Sequence, residues 1–204
     1  RYPLYDTIAA PYIAKSSGTL TDALGNAVQI VRNCGVKNLR LENHYDATRG
    51  IFNHGGALEY FIENIWVNGS SAFSLNAMCR GFVKNVWGRV SKKVLDAGYY
   101  SGFVDFENVH VGQGSTPTDV QAKINLGDMC HDIHLRRCSI NGGTMDFTVL
   151  AIQRAVRCII DDCDITGRGT ARAVNFYDSG ASGYGPDGCQ LLNSRIHVAG
   201  PTTA

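Results

Sequence analysis

Two acidic residues in the stretch FVDFENVHVG, Asp105 and Glu107, stand two positions apart and could act together in acid–base chemistry. On an extended strand, side chains two positions apart point to the same face, with their roots about 7 Å apart. A separation of about 6.5–9.5 Å between carboxyl groups is the range expected of an inverting glycosidase. The pair is therefore a candidate for cleaving the bond between two sugars.

The candidate catalytic set also includes Asp161, His110 and His134, provided that the chain folds as a stack of internal repeats. Glu107 and Asp161 would then hold equivalent positions two repeats apart, about 9–10 Å by strand spacing. The two histidines would lie among the carboxylates, where an imidazole can shift the pKa of a carboxyl group. The alternative is that opposite charges alternate here only because such pairing stabilises the solvated face of a sheet.

Four aromatic residues recur at matching positions near these charges and could bind sugar rings. They are Phe61, Phe82, Trp66 and Trp87. Aromatic faces suit the C–H-rich faces of sugars, and the same side chains are enriched at protein interfaces. Arg136 and Asp164 complete the candidate substrate-binding set, since a guanidinium can hold an anionic sugar. The alternative is that a partner chain or a loop covers the rings, because monomers rarely expose a large apolar patch.

An internal repeat indicates which elements would position these residues. The segments EYFIENIWVNG (59–69), RGFVKNVWG (80–88) and FVDFENVHVG (103–112) share one pattern, in which an asparagine follows alternating apolar residues. The equivalent turn positions along the chain are Asn43, Asn64, Asn85, Asn108, Arg137, Asp162 and Asn193. This alternation is the period-two signature of a strand that bends at a polar corner. The first row fits poorly, so we expect the regular region to begin near Phe52.

Repeats of 21–31 residues that contain short strands and no helix predict a parallel β-helix. Such a unit is too small for a strand–helix–strand crossover and shorter than a propeller blade of about 40 residues. Each repeat would form one rung, stacked on the next at about 4.8 Å. We expect an all-β solenoid of about six to seven rungs, with an antiparallel sandwich as the alternative.

The N-terminal segment has a different pattern and predicts a capping α-helix over residues 19–34. Its apolar face would be formed by Leu20, Leu24, Val28 and Val31. A solenoid needs such a cap to cover its first open rung. We therefore divide the chain into an extension with a capping helix, 1–35, and a β-helix domain, 36–204. The C-terminal VAGPTTA has no comparable cap, so we expect either a longer natural chain or a second chain over the last rung.

The composition argues against several classes of function. A net charge of +1 with 18% charged residues gives no basis for binding nucleic acid. No apolar run approaches the roughly 18–20 residues of a membrane span, so no membrane insertion is expected. The seven cysteines are odd in number, irregularly spaced and without a CxxC pair, which indicates reduced core thiols made in a reducing compartment.

Motifs for cofactor or metal chemistry are also missing from the sequence. It contains no GxSxG, HExxH or P-loop motif, and no GxGxxG that directly follows a strand and opens a helix. The DxxD spacing of Asp161 and Asp164 is weak evidence for a calcium site. We expect no cofactor and no bound metal.

The rung pattern in IHLRRCSINGG (133–143) and VRCIIDDCDITG (156–167) resembles that of the right-handed parallel β-helix, or pectate-lyase-like, superfamily. That superfamily includes pectate lyases, polygalacturonases, alginate epimerases, and bacteriophage tailspikes and depolymerases. The resemblance covers residues 19–198 and implies a right-handed, single-stranded β-helix. Asp161 and Asp162 resemble the paired aspartates of polygalacturonases, but the Gly-His-Gly and Arg-x-Lys segments that follow them there are absent here.

This resemblance, together with the cysteines and the aromatic columns, favours a phage tailspike or tail-fibre segment. It implies a homotrimer of the virion that binds, and as a further expectation depolymerises, a bacterial surface polysaccharide. The first alternative is a free, secreted polysaccharide lyase or glycoside hydrolase. The second is a structural β-helix or adhesin without catalytic activity.

Overall fold

The chain is an all-β parallel solenoid in the part that its computed structural model describes. The described residues are 19–21, 27–29, 31–33, 35–42, 52–55, 57–69, 72–76, 79–91, 93–98, 101–114, 123–127, 129–142, 148–168, 174–177 and 185–199. They form 19 strands and no helix. Among them there is accordingly no helix long and apolar enough to cross a membrane.

The longer of the two main sheets has 11 strands. Its strands are β3 (Val31–Arg32), β4 (Gly35–Glu42), β6 (Ala57–Gly69), β8 (Cys79–Val90), β10 (Gly102–Gln113), β12 (His131–Arg136), β13 (Ser139–Asn141), β15 (Ile159–Asp161), β16 (Asp164–Arg168), β18 (Gln190–Leu192) and β19 (Arg195–Ala199). The second main sheet has six strands. They are β5 (Phe52–Gly55), β7 (Phe73–Asn76), β9 (Leu95–Gly98), β11 (Ile124–Leu126), β14 (Leu150–Gln153) and β17 (Val174–Tyr177).

Every pairing within these two sheets is parallel and joins strands that lie one rung apart. The chain passes from the long sheet to the second sheet and back once in each rung, as in β8, β9 and β10. This alternation confirms the predicted parallel β-helix and excludes the antiparallel sandwich.

Within the long sheet, each rung bends at two corners where the backbone adopts positive φ. The asparagine corner is the column Asn38, Asn64, Asn85, Asn108, Arg137, Asp162 and Asn193, with φ between 46° and 57°. The upstream corner lies five residues earlier and is the column Asn33, Glu59, Arg80, Phe103, Asp132, Arg157 and Gly188. Asparagine tolerates this left-handed conformation better than most residues, which explains its repetition at the predicted turn positions.

The first row of the predicted alignment is wrong by five residues. Gly35 pairs with Phe61 and Leu39 pairs with Ile65, so the corner of this row is Asn38 and not Asn43. The regular region therefore begins before Phe52. The six later corner positions are those predicted, because the inward residues around each of them stack in register.

The predicted capping helix is also wrong for the described residues of 19–34. Here β1 (Thr19–Thr21) pairs antiparallel with β2 (Ala27–Gln29), while β3 joins the long sheet beside β6. Strand pairing overrides the helical spacing of a few apolar residues, since propensity and pattern are weak against tertiary contacts. The remaining residues of the segment, 22–26, 30 and 34, lie outside the described ones, and the domain boundary at 35/36 stays a prediction.

The core consists of the inward side chains of both sheets, stacked in columns of similar residues. Ile62, Val83, Phe106, Leu135 and Ile160 form one such column, and none is more than 3% exposed. The solenoid has about four complete turns, and its buried inward residues run from Tyr60 to Ile165, while the first and last rows are only partly covered. The expected six to seven rungs are thereby corrected to about four complete ones.

The described cysteines belong to this core as free thiols. Five are buried and Cys189 is partly exposed, whereas Cys34 lies outside the described residues. Cys138 and Cys163 are neighbours in adjacent rungs, and their hydrogen bond together with burial raises the pKa of the Cys138 thiol. These thiols act as small apolar residues that fill the narrow interior.

Candidate functional site

The candidate site lies on the strip of the long sheet between the two corners, which we call the groove face. Only four residues separate the corners, so each rung presents just two outward side chains here. The first outward column is Gly35, Phe61, Phe82, Asp105, His134, Ile159 and Gln190. The second is Lys37, Glu63, Lys84, Glu107, Arg136, Asp161 and Leu192.

A groove of about 380 Å³ follows these two columns across the middle rungs. Its lining residues are Glu63, Phe82, Lys84, Asp105, Phe106, Glu107 and Arg136. The register thus brings together four of the predicted site residues, namely Asp105, Glu107, Phe82 and Arg136. Aromatic and charged side chains share one concave surface, as in many ligand sites.

Phe82 forms the apolar wall of the groove. Its ring stacks on Phe61 with centroids 6.1 Å apart and planes 23° apart. The parallel register forces these two rings together because they hold the same position in successive rungs. Phe82 remains 41% exposed, so one face of the stack is open to a ligand.

Glu107 lies at the centre of an ion-pair network that spans three rungs. Its Oε2 lies 3.1 Å from Lys84 Nζ on β8, and its Oε1 accepts a hydrogen bond from Arg137 Nη2 in the following rung. The side chain is 26% exposed. Both oxygens have cationic partners, so this carboxylate connects the strands as well as facing the groove.

Asp105 is the most accessible carboxylate of the groove. Its side chain is 68% exposed, and Oδ1 lies 3.5 Å from Nδ1 of His134, so the two form an ion pair when the imidazole is protonated. Arg136 follows His134 on β12 and forms no ion pair with any residue that the structure describes. A carboxylate and an unpaired guanidinium are therefore both open to a ligand in the same groove.

Asp161 and His110 lie away from this constellation. Asp161 pairs in register with Arg136 but does not line the groove, and its Oδ1 accepts a hydrogen bond of 3.0 Å from Asn193 Nδ2. His110 lies beyond the asparagine corner, beside Trp87. The five predicted catalytic residues are thus not one cluster: two line the groove, His134 borders it, and two stand apart.

A separate outward column lies on the far side of the asparagine corner. It is Arg40, Trp66, Trp87, His110, Ser139, Asp164 and Arg195. Arg40 is the first residue of this column, and its guanidinium lies 4.3 Å from the centroid of the Trp66 ring, a cation–π contact. The asparagine corner separates this column from Phe61 and Phe82, so the four predicted sugar-binding aromatic residues do not lie on one face.

Asp164 is bound to Arg195 at the end of this column, three rungs from Trp87. Arg195 donates two hydrogen bonds to its carboxylate, from Nε at 3.3 Å and from Nη2. This pairing lowers the pKa of Asp164. No three histidine, cysteine, aspartate or glutamate side chains within the described ranges come together as metal ligands.

Two residues near the groove are not among the site residues predicted from the sequence. Arg137, a corner residue, is a partner of Glu107, and Phe103 exposes 46% of its surface at the upstream corner. Among the described residues of the middle rungs, the exposed large apolar ones are Phe82, Trp87 and Phe103, all on the neighbouring strands β8 and β10. Phe103 could have been found in the repeat alignment, since its equivalents in the other rows are polar or glycine.

Comparison with known proteins identifies no relative of this chain. No protein-family model matches the chain, and no curated protein is significantly similar to it. The groove, its ion pairs and the exposed rings around it are therefore the basis for a functional proposal.

Proposed function

We propose that this chain binds a bacterial surface polysaccharide along the groove face, in the manner of a phage tailspike or tail fibre. The observation that carries the proposal is the open Phe82 ring in a groove shared with Asp105 and Arg136. A flat apolar face next to charged groups suits a sugar, which presents C–H bonds on its faces and hydroxyl groups at its edge.

The repeating architecture supports an extended ligand. Successive rungs place Phe61, Phe82, Asp105 and His134 in one row at the spacing of neighbouring strands, about 4.8 Å. A polymer lying along this row meets an aromatic platform first and polar groups next. A ligand of one or two sugars would use only part of that surface.

The guanidinium of Arg136 has no ion-pair partner among the described residues, which supports a polysaccharide that carries acidic groups. Its neighbours in the column already have partners, because Glu107 is bound by Lys84 and Arg137, and Asp161 by Asn193. An arginine without a partner can bind a carboxylate through two parallel hydrogen bonds.

The tailspike part of the proposal rests on the resemblance of the rungs to the pectate-lyase-like superfamily, and the parallel β-helix fold is the observation that supports it. The proposal includes a homotrimer located in the virion. Free thiols in the core suit assembly in a reducing compartment. The mass of the protein in solution tests this part directly, since a stable monomer would count against a trimeric tailspike.

The binding proposal is tested on a panel of purified capsular polysaccharides and O-antigens, both acidic and neutral. We expect saturable binding to at least one of them and a loss of at least about fivefold in affinity for Phe82→Ala. Phe176→Ala is the matched control, because Phe176 is 48% exposed on the second sheet, away from the groove. Equal effects of the two substitutions, or no binding at all, would contradict the proposal.

A second candidate function is cleavage of the bound polysaccharide. It is favoured by the position of Asp105 and Glu107, two carboxylates of one strand that line the same groove. Loss of viscosity and new reducing ends would reveal cleavage, and unsaturated products would separate a lyase from a hydrolase. Cleavage that survives in both Asp105→Asn and Glu107→Gln would exclude this pair, and binding without cleavage would indicate an adhesin.

A further inference from the structure

Phe103 adopts a backbone conformation that a bulky side chain rarely takes. Its φ is 56°, in the left-handed region, at the upstream corner of the middle rung. The other positions of this corner hold Asn33, Glu59, Arg80, Asp132, Arg157 and Gly188. An aromatic residue is unfavourable here twice over, because the backbone is strained and the ring is 46% exposed.

The ring is nevertheless held in place by side chains of the neighbouring rung. It meets the buried imidazole of His131 edge-on, with centroids 5.1 Å apart and planes 85° apart. His131 Nδ1 lies 2.9 Å from Oδ2 of Asp132, and Arg157 Nε donates a 2.8 Å hydrogen bond to Oδ1 of the same carboxylate. Gly102 makes room for the imidazole, since a Cβ there would lie 2.3 Å from His131 Cε1. The neighbouring rung thus fixes the orientation of an exposed ring.

Phe103 also stands directly beside the groove. It is two residues from Asp105 on β10, and outward side chains at this spacing lie about 7 Å apart. The groove thereby has an exposed ring at each of two successive rungs, Phe82 within it and Phe103 at its upstream rim.

We propose that Phe103 is a sugar-stacking residue at the rim of the groove, held in a strained corner conformation so that its ring borders the polysaccharide next to Asp105. This inference rests on the proposed polysaccharide-binding function. Strained residues supported by their surroundings concentrate at binding sites, where strain is retained for function rather than stability. The ligand of this position is the apolar face of a pyranose ring.

The test uses three variants of the whole chain and the polysaccharide that the wild-type protein binds most tightly in the panel described above. Phe103→Asn removes the ring and places a residue that tolerates positive φ at the corner. Phe103→Trp keeps an aromatic platform. Arg80→Asn is the control, because it introduces the same residue at the equivalent corner one rung earlier without removing an aromatic ring.

We expect Phe103→Asn to bind about three- to tenfold more weakly while its melting temperature stays the same or rises by about 2–4 °C. Phe103→Trp should retain the wild-type affinity, and Arg80→Asn should change affinity less than twofold. Unchanged binding by Phe103→Asn, or a lower melting temperature with it, would overturn the inference while leaving the groove as the binding site. Failure of the wild-type protein to bind any polysaccharide would overturn the proposed function, and this inference with it.

Discussion

Asn108 donates a hydrogen bond of 3.1 Å from Nδ2 to Oδ1 of Asn85, its equivalent one rung earlier. Asn85 in turn donates to Asn64, and Asn64 to Asn38, at 3.0 and 3.1 Å. Each amide can therefore accept and donate along the column, which makes a continuous ladder at the asparagine corner. The ladder ends where Arg137 takes the corner position and binds Glu107 instead. The same corner that organises the fold thus supplies a partner to a carboxylate of the groove.

The first prediction concerns Asn85, which has ladder partners on both sides. Asn85→Ala removes two hydrogen bonds and leaves an alanine at φ 53°, so we expect a loss of about 2–3 kcal/mol in the free energy of unfolding. Asn85→Gly loses the same hydrogen bonds without the backbone strain and should cost about 1 kcal/mol less. Urea denaturation of the two variants measures the difference. Equal losses would show that backbone strain at the corner contributes nothing.

The second prediction concerns Gly88, where β8 passes close to β6. Its φ is 148°, and a Cβ placed on it would lie 1.8 Å from the carbonyl oxygen of Val67. Gly88→Ala therefore requires the strands to separate, and we expect a loss of more than about 3 kcal/mol in unfolding free energy. Gly185→Ala is the control, because no atom lies within 4 Å of the added Cβ there. A Gly88→Ala variant as stable as wild type would contradict the close approach of these strands.

The repeat could be predicted from sequence because the inward side of each rung is narrow and apolar. Equivalent inward positions are held by Ile62, Val83 and Phe106. The asparagine two residues after each of them marks the bend. In a parallel stack, equivalent positions become neighbours, so one correct alignment also specifies the outward columns. Phe82, Asp105 and Glu107 could be placed side by side for this reason.

The sequence-based predictions are wrong where only a single feature of the repeat pattern supports them. The first rung lacks a buried inward column, so spacing alone predicts Asn43, 21 residues before Asn64, whereas strand pairing with β6 places the corner at Asn38. Arg137 was assigned only as a corner residue, although its long side chain reaches Glu107 in the preceding rung. The strain at Phe103 depends on a second corner in each rung, which the apolar pattern does not reveal.

The third prediction concerns the pH dependence of stability at the Asp164–Arg195 pair. The guanidinium lowers the pKa of Asp164, so the unfolded chain takes up a proton at this group before the folded chain does. The contribution of the pair is therefore complete above the unfolded pKa of about 3.9 and is lost as pH falls through the lower folded value. Urea denaturation of wild type and Asp164→Asn should show a stability difference at pH 6 that shrinks below about pH 4. A difference that stays constant down to pH 2 would contradict this assignment, and high salt should reduce the effect because the arginine is exposed.

The last prediction separates structural from functional roles of the two groove carboxylates. Glu107→Gln weakens contacts with both Lys84 and Arg137, so we expect a loss of about 0.5–1.5 kcal/mol in unfolding free energy. Asp105→Asn should cost less than about 0.5 kcal/mol, because its side chain is 68% exposed and its contact with His134 is long. Polysaccharide affinity, measured beside urea denaturation, should fall for Asp105→Asn without a matching fall in stability. If only Glu107→Gln weakens binding, and in proportion to its lost stability, the carboxylates serve the fold and the ligand is held by the rings and Arg136.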